Sequence, residues 1–160
     1  MIVFTLVLFA LSSIAFIGCG GGGGGSTNPT SSLEVLPADY DFGVVTDGNS
    51  AQPLEVVIRN NGVAGLGVTS IVLSDTTNFA LDLNGGTNPC GSAAPTIGTG
   101  SSCTVTVDFL PSALNTFSAD LTILSDDPTT PRYDLSLLGS KQDISEVNVK
   151  INQIDVIILT

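Results

Sequence analysis

Between residues 33 and 140, apolar side chains recur at every second position in short runs, and no stretch keeps the spacing of an amphipathic helix. Period two belongs to a strand whose successive side chains point to opposite faces of a sheet. The clearest run is Cys103-Thr104-Val105-Thr106-Val107-Asp108-Phe109. Its Cys, Val, Val and Phe share one face, expected to be core, and its Thr, Thr and Asp share the other, expected to be wet. Similar alternation marks residues 54–59, 119–123 and 133–137. Turn chemistry separates the runs, at Asn60-Asn61-Gly62, Pro111-Ser112, Asp126-Asp127-Pro128 and Gly139. Weaker runs at residues 33–36, 68–73 and 79–83 bring the total to about seven short strands, which predicts an all-β fold built as a two-sheet sandwich.

A chain of 160 residues holds one such domain plus tails. Lys and Arg number 4 against 15 Asp and Glu, a net charge of −11, so no positive stripe exists to neutralise phosphates, and nucleic acid is excluded as a partner. The same surplus favours solubility and opposes self-association. The chain has no His, which removes His-based acid/base pairs, Ser-His-Asp triads and His-containing zinc sites. No cofactor is expected.

The first 33 residues of the chain differ sharply. The first charged residue is Glu34, and residues 2–17 are apolar except for Thr5, Ser12 and Ser13. That is the length of the apolar core of a secretion signal, so residues 1–18 are expected to be a signal peptide. The run ends in Ala15-Phe16-Ile17-Gly18-Cys19, which resembles the lipobox of bacterial lipoproteins. The resemblance implies acylation of Cys19 as a new N-terminus. Physically, a lone Cys between an apolar run and a polar linker sits where a thiol can receive lipid, and several acyl chains at about 0.8 kcal/mol per buried CH₂ hold a protein stably. The alternative is an uncleaved helix in which Cys19 is incidental. Gly20 to Gly25 and the subsequent Ser26-Thr27-Asn28-Pro29-Thr30-Ser31-Ser32 have nothing to bury. Residues 19–32 are therefore expected to be a tether, spanning about 20 Å on average. A phosphate cradle would need a preceding strand, a following helix and a Lys, and none is present.

Across residues 39–140 a series of landmarks appears in order: Asp41-Phe42-Gly43, Asn60-Asn61-Gly62, Leu66 and Ile71, Phe79 after an Asp-Thr-Thr-Asn turn, and Cys90. Then come Cys103, Phe109-Leu110-Pro111, Leu121-Thr122-Ile123 and Leu137-Leu138-Gly139. The series resembles the immunoglobulin-like domain of the ASH and Hydin type, carried by bacterial surface proteins as "choice-of-anchor D" modules and related in fold to major sperm protein. The resemblance implies an immunoglobulin-like two-sheet β-sandwich of about seven strands over residues 33–140. Asn115 stands where this family usually has Gly; because Asn tolerates a left-handed backbone, the turn is expected to survive.

Cys90 and Cys103 both lie outside the cytoplasm if residues 1–18 direct export, so they are expected to be bridged. Closing a loop of about 14 residues is worth about 3 kcal/mol in the chain-entropy model. A redox-active pair would call for closer spacing and a nearby cation. Asp39, Asp41, Asp75, Asp82, Asp126 and Asp127 fall near predicted turns and raise calcium as a ligand, but turn Asp ordinarily bonds its own backbone, and no segment has the spacing of a calcium loop. Asp126 and Asp127, as neighbours on an exposed turn, are expected to stay solvated rather than act as an acid/base pair.

In residues 141–160, Val147, Val149 and Ile151 alternate with Asn148, Lys150 and Asn152, and residues 154–160 end in an apolar run. A lone strand is unstable, so this tail either adds to a sandwich edge or opens a following module that the chain cuts short. Tandem arrangement with other surface modules, implied by the resemblance, favours the second. The functional expectation is a non-catalytic binding or spacer module, lipid-anchored in the membrane of a bacterial envelope, outer-membrane, periplasmic or surface-exposed. Sheet edges or loops would hold a protein or glycan partner. The alternative class is a secreted solute-binding or enzymatic lipoprotein fragment, disfavoured by the missing histidine and the small size.

Overall fold

The computed structural model describes residues 29–46 and 48–143. Cys19 and nearly all of the predicted tail, residues 144–160, lie outside them. Among the described residues there is no helix, and nine strands succeed one another: β1 (Leu33–Leu36), β2 (Asp39–Thr46), β3 (Leu54–Asn60), β4 (Leu66–Leu73), β5 (Phe79–Asp82), β6 (Thr96–Ile97), β7 (Ser102–Phe109), β8 (Thr116–Ser125) and β9 (Arg132–Gln142). They form two sheets, ordered β1-β3-β7-β5 and β2-β9-β8-β4-β6. The expected all-β sandwich is present, with two strands more than the alternation revealed.

The additional strands hide for different reasons. In β2 the register against β9 shifts between Asp41 and Val44, and Gly43 takes φ 72° while its N–H donates to Asp41 Oδ1 at 2.8 Å. A bulge of this kind breaks period two, so the segment carries only a turn signature. β6 has two residues, too few for any period to show. The chain passes from the first sheet to the second between β1 and β2, at the cis Leu36–Pro37 peptide, and β2 then pairs parallel with β9.

Inward side chains of both sheets make the core. Val56, Ile58, Val105 and Val107 from the first sheet meet Leu66, Leu121, Ile123 and Leu135 from the second, each without solvent exposure. Toward one end the aliphatic core gives way to aromatic rings. Phe109 lies 5.0 Å from Phe79 and 5.6 Å from Phe42 between centroids, with Phe117 at 6.3 Å. Gly139 of β9 faces this cluster, and a Cβ there would stand 2.6 Å from the Phe109 ring. The absence of a side chain at Gly139 thus makes room for the Phe109 ring.

Two readings of outward residues need correction. Thr104, expected on the wet face of β7, is 3% exposed because residues 84–88 fold across it. Its hydroxyl donates to the Gly85 carbonyl at 3.2 Å and accepts from Asn88 N–H at 3.0 Å. Asn115 keeps its turn without a left-handed backbone, since no non-Gly residue described has a positive φ. Instead its carbonyl accepts from Lys141 N–H at 2.8 Å and its side chain accepts from Thr116 N–H at 2.8 Å.

The registers also fix where the chain enters and leaves. Leu33, the first residue of β1, pairs with Asn60 at the end of β3, and its N–H reaches the β8–β9 turn. The last residues of β9 lie beside Thr46 of β2 and Thr116 at the start of β8. Entry and exit are at opposite poles of the sandwich.

Candidate binding site

Cys90 and Cys103 form the expected disulfide, with S–S 2.03 Å and Cα–Cα 4.9 Å. Cys103 is on the inward face of β7, and residues 88–90 run alongside that strand: Thr104 N–H donates to the Asn88 carbonyl at 2.7 Å, and Cys90 N–H to the Thr104 carbonyl at 2.9 Å. The bridge closes residues 91–102 into a loop that leaves the first sheet, touches the second and returns. Its anchor is Ile97, 4% exposed and paired with Leu66. Asn60, fully buried, clamps it by donating from Nδ2 to the Ile97 carbonyl at 3.0 Å and to the Ala64 carbonyl at 2.7 Å. The Gly- and Ser-rich composition of this loop gave no sign of that order.

The acidic residues are engaged with backbone. Asp41, Asp75, Asp82 and Asp127 each accept, at 2.8 Å, the N–H two residues onward, from Gly43, Thr77, Asn84 and Thr129 respectively. This is the side-chain turn that Asp makes readily. Among the described residues no three acidic or Cys side chains gather as a group able to hold a metal ion. The Asn78 side-chain amide, with the Thr77 N–H behind it, holds the Asp75 carboxyl below the usual range.

Asp127 departs from the solvated turn expected of it: the residue is 1% exposed. Burial pushes its pKa up, but donors more than offset that, so the net direction is down. The donors are Leu33 N–H at 2.8 Å, Thr129 N–H and Thr129 Oγ1 at 2.8 Å, and Thr130 N–H. Its exposed neighbour Asp126 accepts from Gly67 N–H at 2.9 Å and Ser31 Oγ at 3.1 Å. The two carboxylates therefore join β1, β4 and the β8–β9 turn at the entry pole and are not an acid/base pair. Residues 30–32, assigned to the tether, join the same node: Thr30 accepts from Val63 and Ala64 N–H, and Ser32 accepts from Asn61 N–H. In the sequence this node shows only as two turn signals, Asn60-Asn61-Gly62 and Asp126-Asp127-Pro128.

At the exit pole lies a cleft of about 280 Å³ whose apolar lining is Val45, Phe109, Leu110 and Pro111 and whose polar lining includes Thr46, Asn49 and Lys141. That is below the usual size of a small-molecule pocket. Leu110 and Leu114, in the connection from β7 to β8, are 55% and 57% exposed beside it. The connection is pinned: Leu110 N–H donates to the Asn78 carbonyl at 2.7 Å, and Ser112 N–H and Oγ donate to Asn78 Oδ1 at 3.1 and 3.0 Å. Sheet edges supply the other accessible backbone. β1 and β5 flank the first sheet, β2 flanks the second, and on the far side of that sheet β6 pairs with β4 only at Leu66 and Gly67, with Val68 N–H donating to the Pro95 carbonyl at 3.0 Å, leaving Thr69 onward without a strand neighbour there among the described residues.

No family model matches the chain, and no curated protein matches it. Solved structures do. A Porphyromonas gingivalis W83 protein of unknown function is similar at TM-score 0.55 and 19% identity over 69% of this chain and 47% of that one. The VesB protease of Vibrio cholerae is similar at 0.53 and 15% over 68% of this chain and 31% of that one. The ASH/PapD-like domain 7 of human CEP192 is similar at 0.50 and 11%, over 86% of this chain and 99% of that one. The chain thus spans about half of the first protein and about a third of the second. At these identities the likeness is one of fold: an immunoglobulin-like two-sheet β-sandwich, similar to that of the ASH/PapD-like domain.

Proposed function

We propose that the chain is a non-catalytic spacer or binding module of a bacterial envelope, held to the membrane by lipid on Cys19. The observation that carries this is the placement of entry and exit at opposite poles, which lets the sandwich hold its N-terminal and C-terminal attachments apart by its own length. Residues 1–18 are the export signal, and the tether from Cys19 meets the sandwich where Asp126, Asp127 and Asn60 lock the first residues of the domain. The disulfide supports an extracytoplasmic location, since such bridges persist in oxidising compartments. The chain has no His, so the likeness to a protease brings no Ser-His-Asp chemistry with it. Residues 144–160 open a following module. A protein or glycan partner is held at the open edges of β2 and β4 or at the exit-pole loops, by backbone pairing and exposed apolar side chains.

Intact mass of the membrane-extracted protein tests the anchor. The expected species begins at Cys19 and carries acyl chains; retention of Met1 with a free Cys19 thiol refutes it. Capture of envelope components by the exported chain tests the binding role, with retention expected to weaken when the β4 edge is blocked by a Pro. Catalytic turnover by that same material would reverse the assignment.

A further inference from the structure

We propose that Asn84 is a site of spontaneous modification, converting to aspartate and isoaspartate, and that isoaspartate there loosens the strap of residues 84–88 from β7. The site is independent of the lipid anchor and of the binding role. Asn-Gly occurs twice in the chain, at Asn61-Gly62 and Asn84-Gly85. A glycine carries no Cβ, so its backbone nitrogen is open to close approach by the preceding side chain. That nitrogen attacks the carbonyl carbon of the Asn side chain. The N–Cγ bond forms, the Cγ–Nδ2 bond breaks, and the proton of the nitrogen leaves with the amide as ammonia. Water then opens the cyclic imide at either carbonyl, giving aspartate or isoaspartate, and is the only co-reactant consumed.

The fold separates the two sites. At Asn61 both reacting groups are tied: its Nδ2 donates to Glu34 Oε2 at 2.8 Å, and the Gly62 N–H donates to Asn60 Oδ1 at 2.9 Å. Gly62 also lies against residues 30–32, where an added Cβ would stand 2.6 Å from Ser32 N. Attack there requires this part of the entry pole to open first. Asn84 is exposed, and although its N–H donates to Asp82 Oδ1 at 2.8 Å, no hydrogen bond among the described residues holds its side-chain amide. The Gly85 N–H meets the Asp82 carbonyl only at 3.4 Å, beyond the usual range of such a bond. Both reacting groups are therefore loosely held.

The packing of the strap sets the consequence. Isoaspartate lengthens the backbone between residue 84 and Gly85, and that backbone has no room to shift inward. A Cβ at Gly85 would stand 2.9 Å from Thr106 Cγ2, and one at Gly86 would stand 2.8 Å from Thr104 Cβ. Pushed outward, the strap gives up the bonds from Thr104 Oγ1 to the Gly85 carbonyl and from Thr104 N–H to the Asn88 carbonyl. The new carboxylate also adds negative charge beside Asp82, on a strap that the Glu55 carboxylate holds through Thr87.

Peptide mapping of the full chain during incubation at mildly alkaline pH tests this, with an Asp-specific protease that cuts at aspartate and spares isoaspartate. Conversion at Asn84 is expected to be at least about tenfold faster than at Asn61 in the folded protein, and equal at the two sites in concentrated urea. Hydrogen exchange at the Asn88 and Thr104 amides is expected to be about tenfold faster in the isoaspartate form than in Asn84→Gln, whose amide sits one carbon further from the Gly85 nitrogen. The amides of β3 and β8 stay protected in both, as the control for folding. Equal folded-state rates at the two sites, or no conversion at Asn84, overturn the modification. A difference that persists in urea assigns it to local sequence and overturns the structural account, and unchanged exchange at Asn88 and Thr104 overturns the loosening.

Discussion

Asp127 illustrates how one side chain joins distant segments of this chain. Its carboxylate accepts the Leu33 N–H from the other sheet and closes its own turn on Thr129. Removing it by Asp127→Ala leaves the Leu33 N–H without an acceptor, a loss of about 1–3 kcal/mol. The urea midpoint is expected to fall accordingly at neutral pH. The carboxyl is also held below its ordinary pKa in the fold, as is that of Asp75, so each contributes stability that is complete above the unfolded value near 3.9. That contribution disappears as pH falls through the lower folded value. Urea midpoints measured from about pH 6 down to about pH 3 are therefore expected to decline, and more steeply in the wild type than in Asp127→Asn. A parallel decline would remove the assignment to Asp127. Gly139 acts through space rather than charge: Gly139→Ala places a methyl 2.6 Å from the Phe109 ring. Pushing that ring off its aromatic neighbours costs about 1–3 kcal/mol, read as a drop in Tm with unchanged far-ultraviolet dichroism. An unchanged Tm would mean that the ring yields freely.

Among the elements, the disulfide-closed loop combines the most with the least sequence signal. Residues 91–102 are tied at both ends by Cys90 and Cys103 and at the middle by Ile97. Replacing both cysteines by Ser is expected to cost about 3 kcal/mol by the chain-entropy model, with the sandwich still folded at room temperature. Denaturant unfolding of the exported protein with and without reductant measures it, and equal midpoints would show that Ile97 alone holds the loop. The strands that the period revealed are those packed on one face and wet on the other, such as β3, β7, β8 and β9. What stayed hidden depends on partners remote in sequence. β2 borrows its regularity from β9, β6 from Leu66, and the burial of Thr104 and Asp127 from segments that cross over them. The bridge and the turn carboxylates were legible because their chemistry is local or depends on compartment; the exit-pole cleft was not, because Val45, Phe109 and Lys141 meet only once both sheets close.

For the whole molecule, the direction of the chain through the sandwich determines orientation at the proposed anchor. Residues 30–32 belong to the sandwich by their hydrogen bonds, so the tether proposed from the sequence shortens to residues 20–29, a length that a flexible chain spans in about 17 Å on average. β9 runs from the entry pole to the exit pole in 11 residues, about 35 Å. With Cys19 in the bilayer, the pole holding Asn60 and Asp127 faces the membrane, and the pole holding the cleft faces away. Val63, 72% exposed at the first pole, and Ser50, exposed at the second, are suitable sites for a fluorescent amino acid that leaves the three cysteines untouched. Energy transfer to an acceptor dye in the bilayer surface is expected to be clearly stronger from position 63 than from position 50, as befits sites separated by about 30 Å along the strand direction. Deleting Gly20–Gly25 is expected to raise transfer from both positions while leaving the urea midpoint unchanged, because those glycines lie in the tether. Equal transfer from the two positions would mean that the sandwich lies flat on the membrane, and stronger transfer from position 50 would invert the proposed orientation.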